Sequence, residues 1–166
     1  SIQDLKFSAT ASYFGKHLYG DNGHIPIGLI SSAVGGASIE TFLVNQVDNG
    51  NGAQFGNSAL YKRLIYPYTN WENSETGKGI QLAGVIWYQG EADANSSKIT
   101  MPAYTKAMES MVSDYRTVFN DDSLPFMYVQ LAAFDNPGGE YAAMREAQFN
   151  YMIGKNTTNG KPENVG

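Results

Sequence analysis

Leu82-Ala83-Gly84-Val85-Ile86-Trp87-Tyr88-Gln89-Gly90-Glu91-Ala92-Asp93 decides the fold. An apolar run of this length, bounded by polar residues, reads as a buried strand. At its end it hands over at once to a glutamine, a glycine and a carboxylate. Two further runs have the same character, Ile25-Pro26-Ile27-Gly28-Leu29-Ile30 and Leu124-Pro125-Phe126-Met127-Tyr128-Val129-Gln130-Leu131. Pro26 falls near the start of its run, where a strand tolerates proline.

Helical patterns separate the runs. Ala11, Phe14 and Leu18 share one face of a helix predicted over 8–18, with Gly20 suited to its stop. Ser38 is a plausible N-cap for a short helix through Ile39, Phe42 and Leu43. Leu60, Leu64 and Ile65 suggest a helix that Pro67 ends. Pro102 opens a long helix in which Tyr104, Met108, Met111, Tyr115 and Val118 keep a 3.6-residue period. A last helix runs from about Glu140 to Met152. Residues 45–57 and 69–79 are polar and read as loops. Apolar strands alternating with amphipathic helices imply an α/β domain with a parallel sheet covered on both faces. One domain over 1–166 is expected, because no linker divides the chain. Ligands of such sheets bind beyond the C-terminal strand ends, so the loops 31–38, 89–97 and 132–139 are the places to look for chemistry.

Composition narrows the chemistry. Eleven basic against sixteen acidic residues, a formal charge of −5, argue against a nucleic-acid binder. With no cysteine and only His17 and His24, disulfides, thiolate nucleophiles and Cys- or His-rich metal sites are excluded. No apolar stretch is long enough to span a membrane. The first residues, Ser1 to Lys6, lack the apolar core of a signal peptide, and the chain stops at Gly166 without a terminal helix, which hints at a fragment. Enrichment in Gly, Asn, Thr and Tyr with low charge leans extracytoplasmic.

In the first post-strand loop, Ser31-Ser32-Ala33-Val34-Gly35-Gly36-Ala37-Ser38, paired glycines ahead of a helix start leave backbone N–H groups bare. Such groups hold a phosphate or the oxyanion of an acyl-transfer intermediate; equally, two glycines make a tight turn. No P-loop lysine follows, so nucleotide binding loses ground. In the second loop, Gln89 can donate its side-chain amide to developing negative charge. Glu91, when ionised, only accepts hydrogen bonds, and would orient a neighbour or hold a loop.

The stretches Phe7 to Leu18, Ile25 to Glu40 and Gly84 to Ala94 resemble the SGNH-type hydrolases, in the branch of sialate O-acetylesterases and related carbohydrate acetylesterases. Leu60-Tyr61, Leu124-Pro125-Phe126, Val129-Gln130-Leu131 and Arg145-Glu146-Ala147-Gln148 continue the likeness in order, from about residue 5 to 165. Trp87-Tyr88-Gln89-Gly90-Glu91 is its most specific part. The resemblance implies a flavodoxin-like three-layer α/β/α fold with a parallel sheet. It implies serine-dependent hydrolysis of acetyl esters on sugars, on sialate at the 9-position or in the manner of an acetylxylan esterase, without a metal or cofactor. It places an oxyanion-hole glycine at Gly36, with Gly35 beside it, and a polar donor at Gln89, with Glu91 as the competing assignment.

Two blocks of that family have no counterpart here. The nucleophile block Gly-Gln-Ser-Asn precedes everything seen in this chain, and the Asp-x-x-His block would follow Gly166. The chain therefore reads as the middle of an esterase, and its fold as incomplete. The alternative is a non-catalytic carbohydrate-binding or structural module. Asp21-Asn22-Gly23-His24 matches Asp-x-x-His by pattern but comes at the wrong place and reads as a turn. Gly56-Asn57-Ser58 follows no strand and reads as a helix cap. Ser31 and Ser32 lack the glycine frame of a nucleophile elbow. His17 reads as a surface or packing residue. Tyr13, Tyr61, Tyr66, Tyr68, Trp71 and Tyr88 suit sugar contact as a group, but aromatics at helical spacing are more often core. The expected partners are an acetylated carbohydrate and, through a sheet edge left open by the missing central strand, a second copy of the chain.

Overall fold

A computed structural model describes residues 8–73, 81–135 and 139–152. Helix α1 spans Ala9–Asp21, with the Ser8 hydroxyl accepting from the Ala11 N–H. It passes through Gly20 instead of stopping there and hands over at Asn22. Ser38 precedes one turn of 3-10 helix, Ile39–Thr41, without a side-chain capping bond. Strands β1 (Val47–Asp48) and β2 (Gln54–Phe55) form a short antiparallel hairpin inside the stretch read as loop. The Asn and Asp side chains there fold the turn as their type predicts: Asp48 accepts from the Gly50 N–H, and Asn49 accepts from the Asn51 and Ala53 N–H groups. Strands of two residues are too short to leave an alternating pattern.

Helix α2 spans Tyr61–Glu72 and continues through Pro67. The proline removes one rung of the helix ladder. Just beyond it the Thr69 hydroxyl donates to the carbonyls of Ile65 and Tyr66, giving that turn a side-chain bond. Ser58 does not cap this helix: Leu60 occupies the N-cap position, and the Ser58 hydroxyl donates to the Val44 carbonyl. Of the loop expected over 69–79, residues 69–72 belong to α2 and 74–80 lie outside the described residues.

Strand β3 (Val85–Trp87) and strand β4 (Phe126–Tyr128) pair in parallel, with Val85, Ile86 and Trp87 opposite Phe126, Met127 and Tyr128. Helix α3 (Glu91–Ala94) follows β3 directly, and α4 (Met101–Phe119) is the connection that returns to β4. Thr100 caps α4, Pro102 lies in its first turn, and Asn120 ends it in the left-handed region at φ 52°. Helix α5 spans Tyr141–Met152. This is an α/β fold built on a parallel strand pair. Residues 25–30, expected to be a strand, are irregular: a strand exists by pairing, and no described residue pairs with them.

The core lies on one face of the β3–β4 pair. Trp87 meets Phe42 edge to face at 4.8 Å, and Tyr115 from α4 packs on Phe126. Tyr104, Ala107, Met108, Met111 and Val112 of α4 and Met144 of α5 are fully buried around them. Burial of each such large side chain contributes about 1.5–3 kcal/mol. The other face of the pair is bare: Ile86 and Met127, opposite one another, are 44% and 40% exposed, and Tyr88 and Val129 beyond them are also exposed. No helix among the described residues is long and apolar enough to cross a membrane.

Candidate active site

The loops after β3 and before the 3-10 turn meet. Val34 to Ala37 form a turn closed by the Ala37 N–H on the Val34 carbonyl, with Gly36 in third place at φ 74°. A turn of that kind needs a positive φ there, which glycine adopts without strain. Gly35 and Gly36 are exposed, and neither N–H has a partner among the described residues.

Gln89 leaves β3 into the buried side of this loop. Its Nε2 donates to the Ala37 carbonyl at 3.0 Å and to Asp93 Oδ2 at 2.5 Å. Its Oε1 accepts from the Tyr104 hydroxyl at 3.1 Å. An amide nitrogen carries two hydrogens, so in this arrangement Gln89 has none left for a substrate oxygen. At 6% exposure it faces the interior, while Gly36 faces solvent. The structure thus brings the two residues to one place but on opposite sides of the loop.

Asp93 completes the junction. Its Oδ2 also accepts from the Ile39 N–H at 2.9 Å. Its Oδ1 is buried without a hydrogen-bond partner. Burial pushes this carboxyl above the usual carboxylate range, and the bonds from Gln89 and Ile39 offset only part of that rise. Gln148 of α5 donates to the Gln89 carbonyl at 2.9 Å and accepts from the Leu131 N–H at 2.9 Å. Tyr104, whose hydroxyl also reaches the Gln89 carbonyl at 3.3 Å, is held well above the ordinary phenol range by burial. Gln89, Asp93, Tyr104 and Gln148 therefore form one buried polar network, which ties the loops at the C-terminal ends of β3 and β4 to α4 and α5.

Gly90 makes this packing feasible. Its φ is 142°, and a Cβ there would meet Gln148 Nε2 at 3.1 Å, Leu131 Cδ1 at 3.2 Å and Met144 Cγ at 3.3 Å. Glu91, the first residue of α3, is half-buried, and its carboxylate has no hydrogen bond among the described residues. Its backbone carbonyl accepts from the Asn95 N–H and side chain, so the residue shapes the loop through its backbone.

No hydrogen bond among the described residues joins the side chains of the remaining candidates to one another. Ser32 donates its hydroxyl to the Leu60 carbonyl at 2.9 Å. Ser31 and His17 are exposed. His24 is exposed at φ 64°, with its ring edge-on to Tyr19 at 5.0 Å. A shallow open cavity beside α5 is lined by Gln130, Ala142, Arg145, Glu146 and Phe149 and includes none of the expected site residues. The residues missed by sequence reasoning are Asp93, Tyr104 and Gln148. Asp93 and Gln148 each lie in a block that carries the family likeness, a signal that could have singled them out; Tyr104 was hidden in the apolar period of α4.

Known proteins match this chain over most of its length. A family model described as carbohydrate esterase, sialic acid-specific acetylesterase, matches residues 5–160. Sialate O-acetylesterases from Pongo abelii and Homo sapiens are each 30% identical over 147 residues, covering 76% of this chain and 25% of the relative. The crystal structure of a carbohydrate acetylesterase from Xanthomonas citri superposes with a TM-score of 0.67 at 30% identity, covering 89% of this chain and 32% of that one. The chain thus spans about a quarter to a third of the length of these relatives. It belongs to the carbohydrate esterase family of sialic acid-specific acetylesterases.

Proposed function

We propose that this chain is the oxyanion-holding part of a serine-type carbohydrate O-acetylesterase. One observation carries the reading: the Gln89 bond to the Ala37 carbonyl holds the exposed Gly35-Gly36 loop against the C-terminal end of β3. Backbone N–H groups fixed at such a rim suit the negative charge that develops on an acetyl carbonyl oxygen under attack. Gly36 and Gly35 supply the donors. Gln89 acts from behind the loop, and Glu91 helps shape the neighbouring turn. The serine and its histidine base come from parts of the esterase outside these residues. The serine oxygen bonds to the acetyl carbon as its proton passes to the base. The sugar hydroxyl then leaves with that proton, and water releases acetate from the acyl-enzyme. The flavodoxin-like three-layer arrangement of SGNH hydrolases belongs to the same reading. So do the substrates, O-acetylated sialate, with O-acetylated xylan as the competing sugar.

The second reading, a non-catalytic carbohydrate-binding or structural module, draws on the serines whose hydroxyls are already engaged: Ser32 and Ser58 both donate to backbone carbonyls. Acetate release from O-acetylated sialic acid, acetylated xylan and a chromogenic acetyl ester, by the full-length protein and by residues 1–166 alone, separates the two. Hydrolysis by the full-length protein and none by the segment supports the esterase reading. Sugar binding without hydrolysis by either supports the module.

A further inference from the structure

We infer that Asp93 is a positioning residue of the esterase, clamping the Ala37–Ser38 peptide so that the Ser38 N–H is turned outward beside Gly36. The inference rests on the esterase reading above and adds a residue and a donor to it. Asp93 Oδ2 holds the Ile39 N–H at 2.9 Å, and Gln89 Nε2, itself held by the same Oδ2, takes the Ala37 carbonyl at 3.0 Å. The two grips fall on either side of Ser38. In a trans peptide the N–H points opposite to the C=O, and the described residues contain no cis bond. With the Ala37 carbonyl drawn inward to a buried side chain, the Ser38 N–H must face away from the interior. That N–H has no partner among the described residues. Gly36 at φ 74° and the extended Ser38 at φ −81°, ψ 160° carry the chain through this presentation.

A side-chain oxygen at this position suits the post, because Oδ2 accepts two donors at once, from the Ile39 N–H and from Gln89 Nε2. Asp93 is 1% exposed, so water does not compete for the grip. Asparagine keeps an acceptor in the same place, whereas alanine releases both donors.

Amide hydrogen exchange on this chain reads the clamp directly. In Asp93→Ala the Ile39 amide should exchange at least about tenfold faster, while that of Met111 in α4 stays as in wild type; in Asp93→Asn it should stay within about threefold. In the full-length protein, Asp93→Ala should lower kcat for acetyl ester hydrolysis by about tenfold or more with KM within about twofold, and Asp93→Asn should restore most of it. An Ile39 amide as protected in Asp93→Ala as in wild type overturns the inference, and so does an unchanged kcat. Global loss of protection in Asp93→Ala shifts the decision to Asp93→Asn: there, kcat near wild type with Ile39 protected supports the clamp, and kcat as low as in a Gln89→Ala control contradicts it. If no form of the wild-type protein hydrolyses acetyl esters, the esterase reading fails, and with it any role for Asp93 in that reaction.

Discussion

The side-chain amide of Gln89 donates to the carbonyl of Ala37 at 3.0 Å, across fifty-two residues of sequence. That bond and its neighbours make the C-terminal end of β3 and the glycine turn a single structural unit. The same network reaches α5 through Gln148 and α4 through Tyr104. Apart from Asp93 Oδ1, which has no hydrogen-bond partner, the side-chain polar atoms of the members are directed at another member or at the backbone, so the consequences of removing one are specific.

Gly90→Ala should destabilise the fold by about 2–4 kcal/mol, combining an unfavourable φ with an overpacked contact. The contact is with Gln148, Leu131 and Met144, all held in the core. Urea unfolding measures the loss. A midpoint equal to that of wild type would mean the turn relaxes freely and is not locked as described.

Gln148→Leu should cost about 2–4 kcal/mol, because it leaves the buried Leu131 N–H and one acceptor position of the Gln89 carbonyl without their partner. Tyr104→Phe should cost less, about 1–2 kcal/mol: it leaves Gln89 Oε1 without its donor, but it orphans no N–H, and Gln148 still satisfies the Gln89 carbonyl. Thermal unfolding of the two variants side by side gives the order; the reverse order would contradict the network.

The pH dependence has a definite sign. Burial raises the Asp93 pKa in the folded state, so the folded protein holds this proton more tightly than the unfolded chain, whose value is about 3.9. The contribution of this group to stability is therefore most favourable below about pH 3.9 and declines as pH rises through the folded value. Asp93→Asn has no such proton. The stability of Asp93→Asn relative to wild type should rise between about pH 3.5 and 7, read from urea unfolding across that range. A difference that falls with pH would mean the charged form is the one the site favours.

The exposed face of β3 and β4 should make residues 1–166 self-associate in isolation. Ile86, Tyr88, Met127 and Val129 present a continuous apolar strip there, and parallel sheets are ordinarily covered on both faces. Light scattering of the isolated chain should show dimers or larger species, reduced in Ile86→Lys. A stable monomer at high concentration would contradict this.

What the sequence disclosed, and what it hid, has a physical pattern. Trp87 and Phe126 lie in apolar runs that pair with each other, and those strands were legible. Ile25 to Ile30 form an equally apolar run, but nothing among the described residues pairs with it, and a run does not state its own partner. Pro67 looked like a stop because its missing N–H is local information; that α2 continues past it depends on Thr69, whose hydroxyl bonds the same turn from further along the chain. Gln89 was recognisable as a polar residue at a strand end. Its direction was not, because Asp93, Tyr104 and Ala37 together determine it, and a donor engaged at two buried acceptors looks in sequence like a donor free for substrate.

Gly36→Ala in the full-length protein tests the central claim most directly. A Cβ at Gly36 meets nothing within 4 Å, so the substitution acts through the backbone at φ 74° and should cost only about 1–2 kcal/mol of stability. If the turn presents oxyanion donors, kcat for acetyl ester hydrolysis should fall by about tenfold or more while the protein stays folded. A kcat equal to that of wild type, in a folded Gly36→Ala protein, would contradict the account.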